Sequence, residues 1–315
     1  MNQSPSPTDS GRWEVPEPLA VAEVRMADGT PIILRRHGNP EGPRLVLSHA
    51  NGFSADAYFP FWSLLIDRFD VILYDLRNHG WNPTGEQQAH TIPTFVQDTE
   101  HIAQGIDQHF GAKPKIGIFH SVSAQTAVLQ AAERAAFSVL VLFDPVLCPP
   151  GRPPQDLKKL EATMLQLGKA ARQRQERFAT PEEFAERLRR ALPFKLLRPG
   201  VADLIARTTL RRDADGTRYE LRCPREYEAQ VSEEGYQWAR AVNLDRLSCP
   251  TKAIGADPTQ PFSFLPSVDL SDLIILDYDF IPDTTHFLQL EQPEACVSLM
   301  LEFLEPHLAS LSSGS

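Results

Sequence analysis

Residues 116 to 130 read Ile116-Gly117-Ile118-Phe119-His120-Ser121-Val122-Ser123-Ala124-Gln125-Thr126-Ala127-Val128-Leu129-Gln130, and the change of pattern at Ser121 decides how the rest of the chain is read. Before the serine, Ile116, Ile118 and Phe119 fit a short buried strand. After it, Ala124, Ala127, Val128 and Ala131 recur at helical spacing. The stretch is therefore predicted as strand, sharp turn and helix, with Ser121 at the corner. A side chain there stands above the carboxyl edge of a sheet, facing the positive end of a helix, which suits a nucleophile and an oxyanion. A G-x-S-x-G turn would place glycine at positions 119 and 123. Phe119 and Ser123 stand there instead, so a bulky ring two residues before the serine needs a pocket of its own. A serine merely capping an ordinary helix is the bland alternative.

Outward from this corner, strands and helices alternate. Ala20 to Met26 and Pro31 to Arg36 read as a hairpin around Asp28-Gly29-Thr30. Residues 44 to 48 form a buried strand ending in His49-Ala50-Asn51-Gly52-Phe53. A helix over Tyr58 to Asp67, a strand over Asp70 to Asp75 and a helix from Thr94 to Phe110, closed by Gly111, come next. After the corner, Ser138 to Phe143 is a strand that ends in Asp144-Pro145. Pro149-Pro150-Gly151-Arg152-Pro153-Pro154 then breaks the rhythm. Helical patterns at Gln155 to Phe178, Pro181 to Ala191 and Val201 to Leu210 occupy the middle. The alternation resumes with a strand over Thr251 to Gly255, a helix near Phe262 to Leu265, a strand over Leu273 to Tyr278 and a helix after Pro293. This order implies an α/β architecture: a mostly parallel sheet covered on both faces, with a helical lid. The expected organisation is a loose tail over 1–18, a core over 19–148, a helical cap over 149–238 and a second part of the core over 239–310.

Totals narrow the function classes. The 315 residues are 42% hydrophobic and 23% charged, which is ordinary globular material. A net charge of −10 disfavours nucleic acid as a general partner. The charge is uneven, with 18 Lys/Arg against 10 Asp/Glu in residues 152–225, a surplus of +8 that leaves −18 elsewhere. Solvated helix faces are one reading of that surplus and steering of anionic substrates is the other. No stretch is long enough to span a membrane. Cys148, Cys223, Cys249 and Cys296 lack C-x-x-C or zinc-ligand spacing, which favours reduced thiols and a cytoplasmic protein. No motif for zinc, dinucleotide or nucleotide phosphate occurs, so neither a metal nor a cofactor is expected.

Together these parts resemble the α/β-hydrolase fold superfamily over nearly the whole chain after residue 19. His49-Ala50-Asn51-Gly52-Phe53 is similar to the family's oxyanion loop, and Asp75-Leu76-Arg77-Asn78-His79-Gly80 to its Asp-x-Arg-Gly-His-Gly motif. His120-Ser121 matches the nucleophile turn, and Thr285 to Glu294 the segment that bears the catalytic histidine. The resemblance implies Ser121 as nucleophile and His286 as its base. A carboxylate must then orient the histidine, and two candidates follow strands. Asp257, before Pro258, matches the family's usual position; Asp144, before Pro145, matches a less common one, and Asp257 is preferred. The backbone N–H groups of Asn51 and Val122 are assigned to the oxyanion. The expected activity is serine hydrolysis of a small to medium hydrophobic ester, lactone or thioester. Carbon–carbon cleavage of ring-cleavage products, or ligand binding without catalysis, are the alternatives.

Overall fold

The computed structural model describes residues 12–148, 154–260 and 276–312. The expected hairpin is β1 (Ala20–Arg25) paired antiparallel with β2 (Pro31–Gly38). Pro31 opens the second strand, where a missing amide donor is tolerated. β3 (Arg44–Leu47), β4 (Asp70–Tyr74), β5 (Lys115–His120) and β6 (Val139–Phe143) are buried at every position, as strands covered on both faces must be. The helix expected over Tyr58 to Asp67 is shorter. A 3-10 turn at Ala55–Tyr58 runs into α1 (Phe59–Trp62), and Tyr58, Phe59, Phe61 and Trp62 are all buried. A segment that buries every side has no single apolar stripe to lay down as a long surface helix. α2 (Ile92–Phe110) begins at Thr91, whose hydroxyl accepts from the Thr94 N–H, and stops at Gly111, which adopts φ 82°.

α3 (Val122–Ala131) follows Ser121 directly. Beyond β6 comes the helical segment, built from α4 (Pro154–Gln173), α5 (Pro181–Arg190), α6 (Val201–Thr209) and α7 (Arg225–Ala241). Between them lie β7 (Arg177–Phe178), β8 (Leu210–Arg212) and β9 (Tyr219–Leu221), a small antiparallel sheet in the order β7-β9-β8. The sequence reading extended the first cap helix through Phe178, whereas that residue lies in β7. Cap and core meet early in the chain: Trp13 is buried, its indole donates to Pro199 O at 3.0 Å and its carbonyl accepts from Arg207 at 2.7 Å. Trp13 falls inside the segment expected as a loose tail, so that tail is ordered well before residue 18.

The chain returns with β10 (Thr251–Ala256), β11 (Asp277–Ile281), α8 (Leu288–Glu291) and α9 (Pro293–Ser312). The eight core strands run in the order β1-β2-β4-β3-β5-β6-β10-β11, parallel from β4 onward. The Pro-rich break up to Pro153, the helix near Phe262 to Leu265 and the start of the strand from Leu273 lie outside the described residues, as does the tail up to Gly11. No helix among the described residues is long and apolar enough to cross a membrane.

The basic surplus is largely consumed locally. Arg189 holds Asp203 at 2.6 Å, while Arg172 pairs with Glu226 and Glu233 and Arg174 with Glu228. The last three acids lie on α7, just past the window in which the surplus was counted.

Candidate active site

Ser121 occupies the corner between β5 and α3 with φ 56° and ψ −116°. A residue with a side chain rarely adopts that state, which costs of order 1–3 kcal/mol. Surrounding bonds hold it there, including Ser121 N–H to Phe143 O at 3.0 Å. The two missing glycines are each compensated. The buried Phe119 ring meets the edges of Phe137 at 5.2 Å and Tyr74 at 6.2 Å. Room for it comes from Gly117, two residues earlier on the same strand face. A Cβ at Gly117 would fall 2.4 Å from Phe119 Cε2 and 2.8 Å from Leu140 Cδ2. At the other position, the Ser123 hydroxyl donates to His120 O at 2.9 Å and accepts from the His120 N–H at 3.0 Å. Gly117→Ala should therefore lower the unfolding free energy by about 1–3 kcal/mol, the usual cost of overpacking. Urea midpoints measure this, and an unchanged midpoint would show that the ring has room to move.

His286 stands between Ser121 and an acid. Its Nε2 lies 2.9 Å from Ser121 Oγ and its Nδ1 lies 2.6 Å from Asp144 Oδ2. The carboxylate accepts, so Nδ1 carries the proton and Nε2 is left to accept from the serine. Asp144 caps the carboxyl end of β6, the neighbour of β5. Its N–H bonds Ile254 O at 2.8 Å and its Oδ1 accepts from the Ala256 N–H at 3.3 Å. Asp257, the acid preferred from sequence, is not brought to His286. It ends β10, one strand further from the nucleophile, and its carboxylate is already engaged. The Thr259 hydroxyl at 2.7 Å, the Asp283 N–H at 3.0 Å and the Thr259 N–H at 2.9 Å all donate to it, and they hold its pKa down at about 2. Asp257 thus braces the loop that leads to His286, and Asp144 is the carboxylate that meets His286 Nδ1. Glu291 braces the same loop from behind by accepting from the Thr285 N–H at 2.6 Å and from its hydroxyl.

Asn51 and Val122 line the same cavity as Ser121 and His286. Val122 N–H is the first amide of α3, without an acceptor four residues back inside the helix. The Asn51 side chain donates to Glu228 O at 2.8 Å and Ser232 Oγ at 3.2 Å on α7. Gly52, at φ 77°, lets the Glu228 carboxyl approach to where a Cβ would sit, 2.7 Å from Oε2. Histidines stabilise these loops. His49 accepts from the Leu76 N–H at 3.1 Å and bonds Ala50 O at 2.8 Å, while His79 accepts from the Gly52 N–H at 3.0 Å. His120 spans two loops, with Tyr58 OH at 2.6 Å on Nδ1 and His286 O at 2.7 Å on Nε2. The carbonyl can only accept, so Nε2 is the protonated nitrogen and Tyr58 donates to Nδ1. Tyr58 OH in turn accepts from the Ala50 N–H at 3.3 Å. Burial, reinforced by His286 nearby, holds the His120 pKa well below the ordinary histidine range, which keeps this relay neutral.

His79, His90 and Cys223 are buried with potential ligand atoms within 4.8 Å of one another. Both nitrogens of His79 are committed to backbone, to the Gly52 N–H and to Arg77 O at 3.0 Å. This cluster is therefore a hydrogen-bonded support for the loops and not a preformed ion cage.

The sequence profile described as "Alpha/beta hydrolase family" matches residues 45–299. No curated protein gives a significant match. Among solved structures, E-2-(acetamidomethylene)succinate hydrolase is 18% identical with a TM-score of 0.70, covering 91% of this chain and 99% of that one. The thioesterase domain from the curacin biosynthetic pathway is 20% identical with a TM-score of 0.65, covering 90% and 99%. A thermophilic esterase from Thermogutta terrifontis is 18% identical with a TM-score of 0.61, covering 91% and 98%. At these identities the structures speak for the fold alone. The profile spans most of the chain and coincides with the sheet order and the serine corner, so the chain belongs to the alpha/beta hydrolase family.

Proposed function

We propose that the protein is a serine hydrolase acting on a carboxylic ester, thioester or lactone with a small to medium, largely hydrophobic body. Ser121 is the nucleophile, His286 the general base and Asp144 the orienting acid, with the Asn51 and Val122 N–H groups facing the oxyanion. The observation that carries this reading is the continuous Asp144–His286–Ser121 hydrogen-bonded chain, 2.6 and 2.9 Å long in its two links. A serine hydroxyl is a weak nucleophile until a base takes its proton. His286 Nε2 removes that proton as Ser121 Oγ attacks the carbonyl, and Asp144 stabilises the imidazolium that results. The proton then passes to the leaving group, and water repeats the sequence on the acyl-enzyme. No step requires a metal or cofactor. The cavity over Ser121 measures about 350 Å³ and is walled by Val146, Met164, Leu167, Phe194 and Phe287, which supports an apolar substrate body. Neighbours named as an esterase and a thioesterase share the fold, and both names describe acyl transfer.

Exposure to a fluorophosphonate tests the reading without knowledge of the substrate. Intact-mass analysis should show one adduct on the native chain and none on Ser121→Ala. An unlabelled native chain, or equal labelling of the variant, would refute Ser121 as an activated nucleophile.

A further inference from the structure

The polar side chains around Ser121 are mostly spent. Gln125 donates to Val146 O at 3.1 Å and Gly235 O at 2.8 Å, the Asn51 amide nitrogen bonds α7, and the Ser232 hydroxyl donates to Glu228 O at 2.9 Å. Apart from Ser121 and His286, the side-chain donor left in this wall is the Arg174 guanidinium. Its Nη2 is in ion-pair contact with Glu228 Oε2, while its buried Nε has no hydrogen-bond partner. A buried N–H left in this condition is costly and can be completed by an acceptor on a ligand.

Arg174 also faces a second cavity. This space, about 290 Å³, shares Phe53, Arg174, Ala191 and Phe194 with the first. It adds Arg187 to the wall, and its lining includes no carboxylate. Glu183, the acid nearest Arg187, stands off at 4.0 Å and gives its oxygens to the Ala179 N–H and Gln175, both at 2.8 Å. Arg174, held from one side by Glu228, and Arg187 thus both line this space, which shares part of its wall with the cavity over Ser121. Burial also pushes the Glu228 pKa up, against the pull of Arg174, which weakens Glu228 as a competitor for the guanidinium.

We propose that the substrate carries a carboxylate remote from its reacting carbonyl, and that this carboxylate binds in the second cavity between Arg174 and Arg187. The inference rests on the serine-hydrolase reading and adds the substrate class to it. Arg174 is the anchor, because a guanidinium presents paired donors to a carboxylate. Arg187, which is more exposed, contributes less.

Two pairs of probes test this. On the acyl side, mono-4-nitrophenyl esters of succinate, glutarate, adipate and suberate are compared with neutral 4-nitrophenyl esters of equal chain length. On the alcohol side, the butyrate ester of 4-hydroxybenzoate is compared with phenyl butyrate. In at least one pair the carboxylate substrate should have the higher kcat/KM. Arg174→Met should cut that preference at least 30-fold and Arg187→Gln about threefold, while Arg190→Gln on the cap surface should leave it unchanged. An unchanged preference in Arg174→Met, or no preference in any pair, overturns the proposal. Adipate binding to Ser121→Ala, followed by calorimetry, separates this from failure of the hydrolase reading. Binding lost on adding Arg174→Met upholds the subsite even if no ester is cleaved, and absent or unaltered binding defeats it.

Discussion

Asp144→Asn should lower kcat by about 10³- to 10⁴-fold with little change in KM, the scale seen when a triad carboxylate becomes an amide. Asp257→Asn should cost less than tenfold. The difference follows from what each carboxylate touches. Asp144 Oδ2 receives the Nδ1–H of His286 at 2.6 Å, so an amide there can present an N–H to Nδ1 and turn the ring to the tautomer that cannot accept from Ser121. Its negative charge, which would offset the imidazolium, also disappears. Asp257 instead accepts from Thr259 and Asp283, and an amide oxygen preserves part of that set. Steady-state rates on one activated ester, beside fluorophosphonate labelling rates, decide between them. A larger loss at position 257 would return the acid to the strand-end residue preferred from sequence.

Asp75→Ala should destabilise the fold by about 3–5 kcal/mol, as expected when one member of a buried ion pair is removed. Asp75 is fully buried and accepts from Arg35 at 2.6 Å, the Ala55 N–H at 2.7 Å and the Trp81 N–H at 3.0 Å. Burial alone would raise its pKa, but the Arg35 charge and these donors prevail and hold it well below the ordinary carboxylate range. Without it, the equally buried Arg35 keeps Asp56 at 3.3 Å, a partner itself shared with the Trp81 indole at 2.8 Å. Urea unfolding followed by circular dichroism measures the loss. A change below about 1 kcal/mol would mean that Asp56 can neutralise Arg35 unaided. Because Asp75 also lies 3.5 Å from His49 Nε2, the loop bearing Asn51 should loosen with it.

The alternation of apolar runs with helical periods made the sheet legible, and the switch of period at Ser121 located the corner. Both are local patterns that tertiary structure had only to ratify. Which aspartate meets His286 was not legible, because Asp144-Pro145 and Asp257-Pro258 are the same dipeptide in the same local context, each at the end of a strand. Which one meets His286 depends on strand order across the sheet, and no window of sequence encodes that. The three-stranded sheet among the cap helices was missed because strands of two or three residues are too short to show a period of two. Trp13 was missed because a lone aromatic in a Pro-rich stretch carries no pattern, and its burial depends on Pro199 and Arg207 far along the chain.

Phe119 and Gly117 impose an order on the mutations that could connect this turn with one bearing glycine at position 119. A side chain enters at position 117 only if the ring shifts, since its Cβ would lie 2.4 Å from that ring. Removing the ring first empties a space bounded by Tyr74, Phe137 and Leu140, and losses of this kind typically cost about 3–5 kcal/mol. Both single steps therefore descend in stability, and the cost of the second depends on whether the first has been taken. Ring and glycine are thus energetically coupled, so a double-mutant cycle over positions 117 and 119 should be non-additive while the walls of the substrate cavity are left untouched.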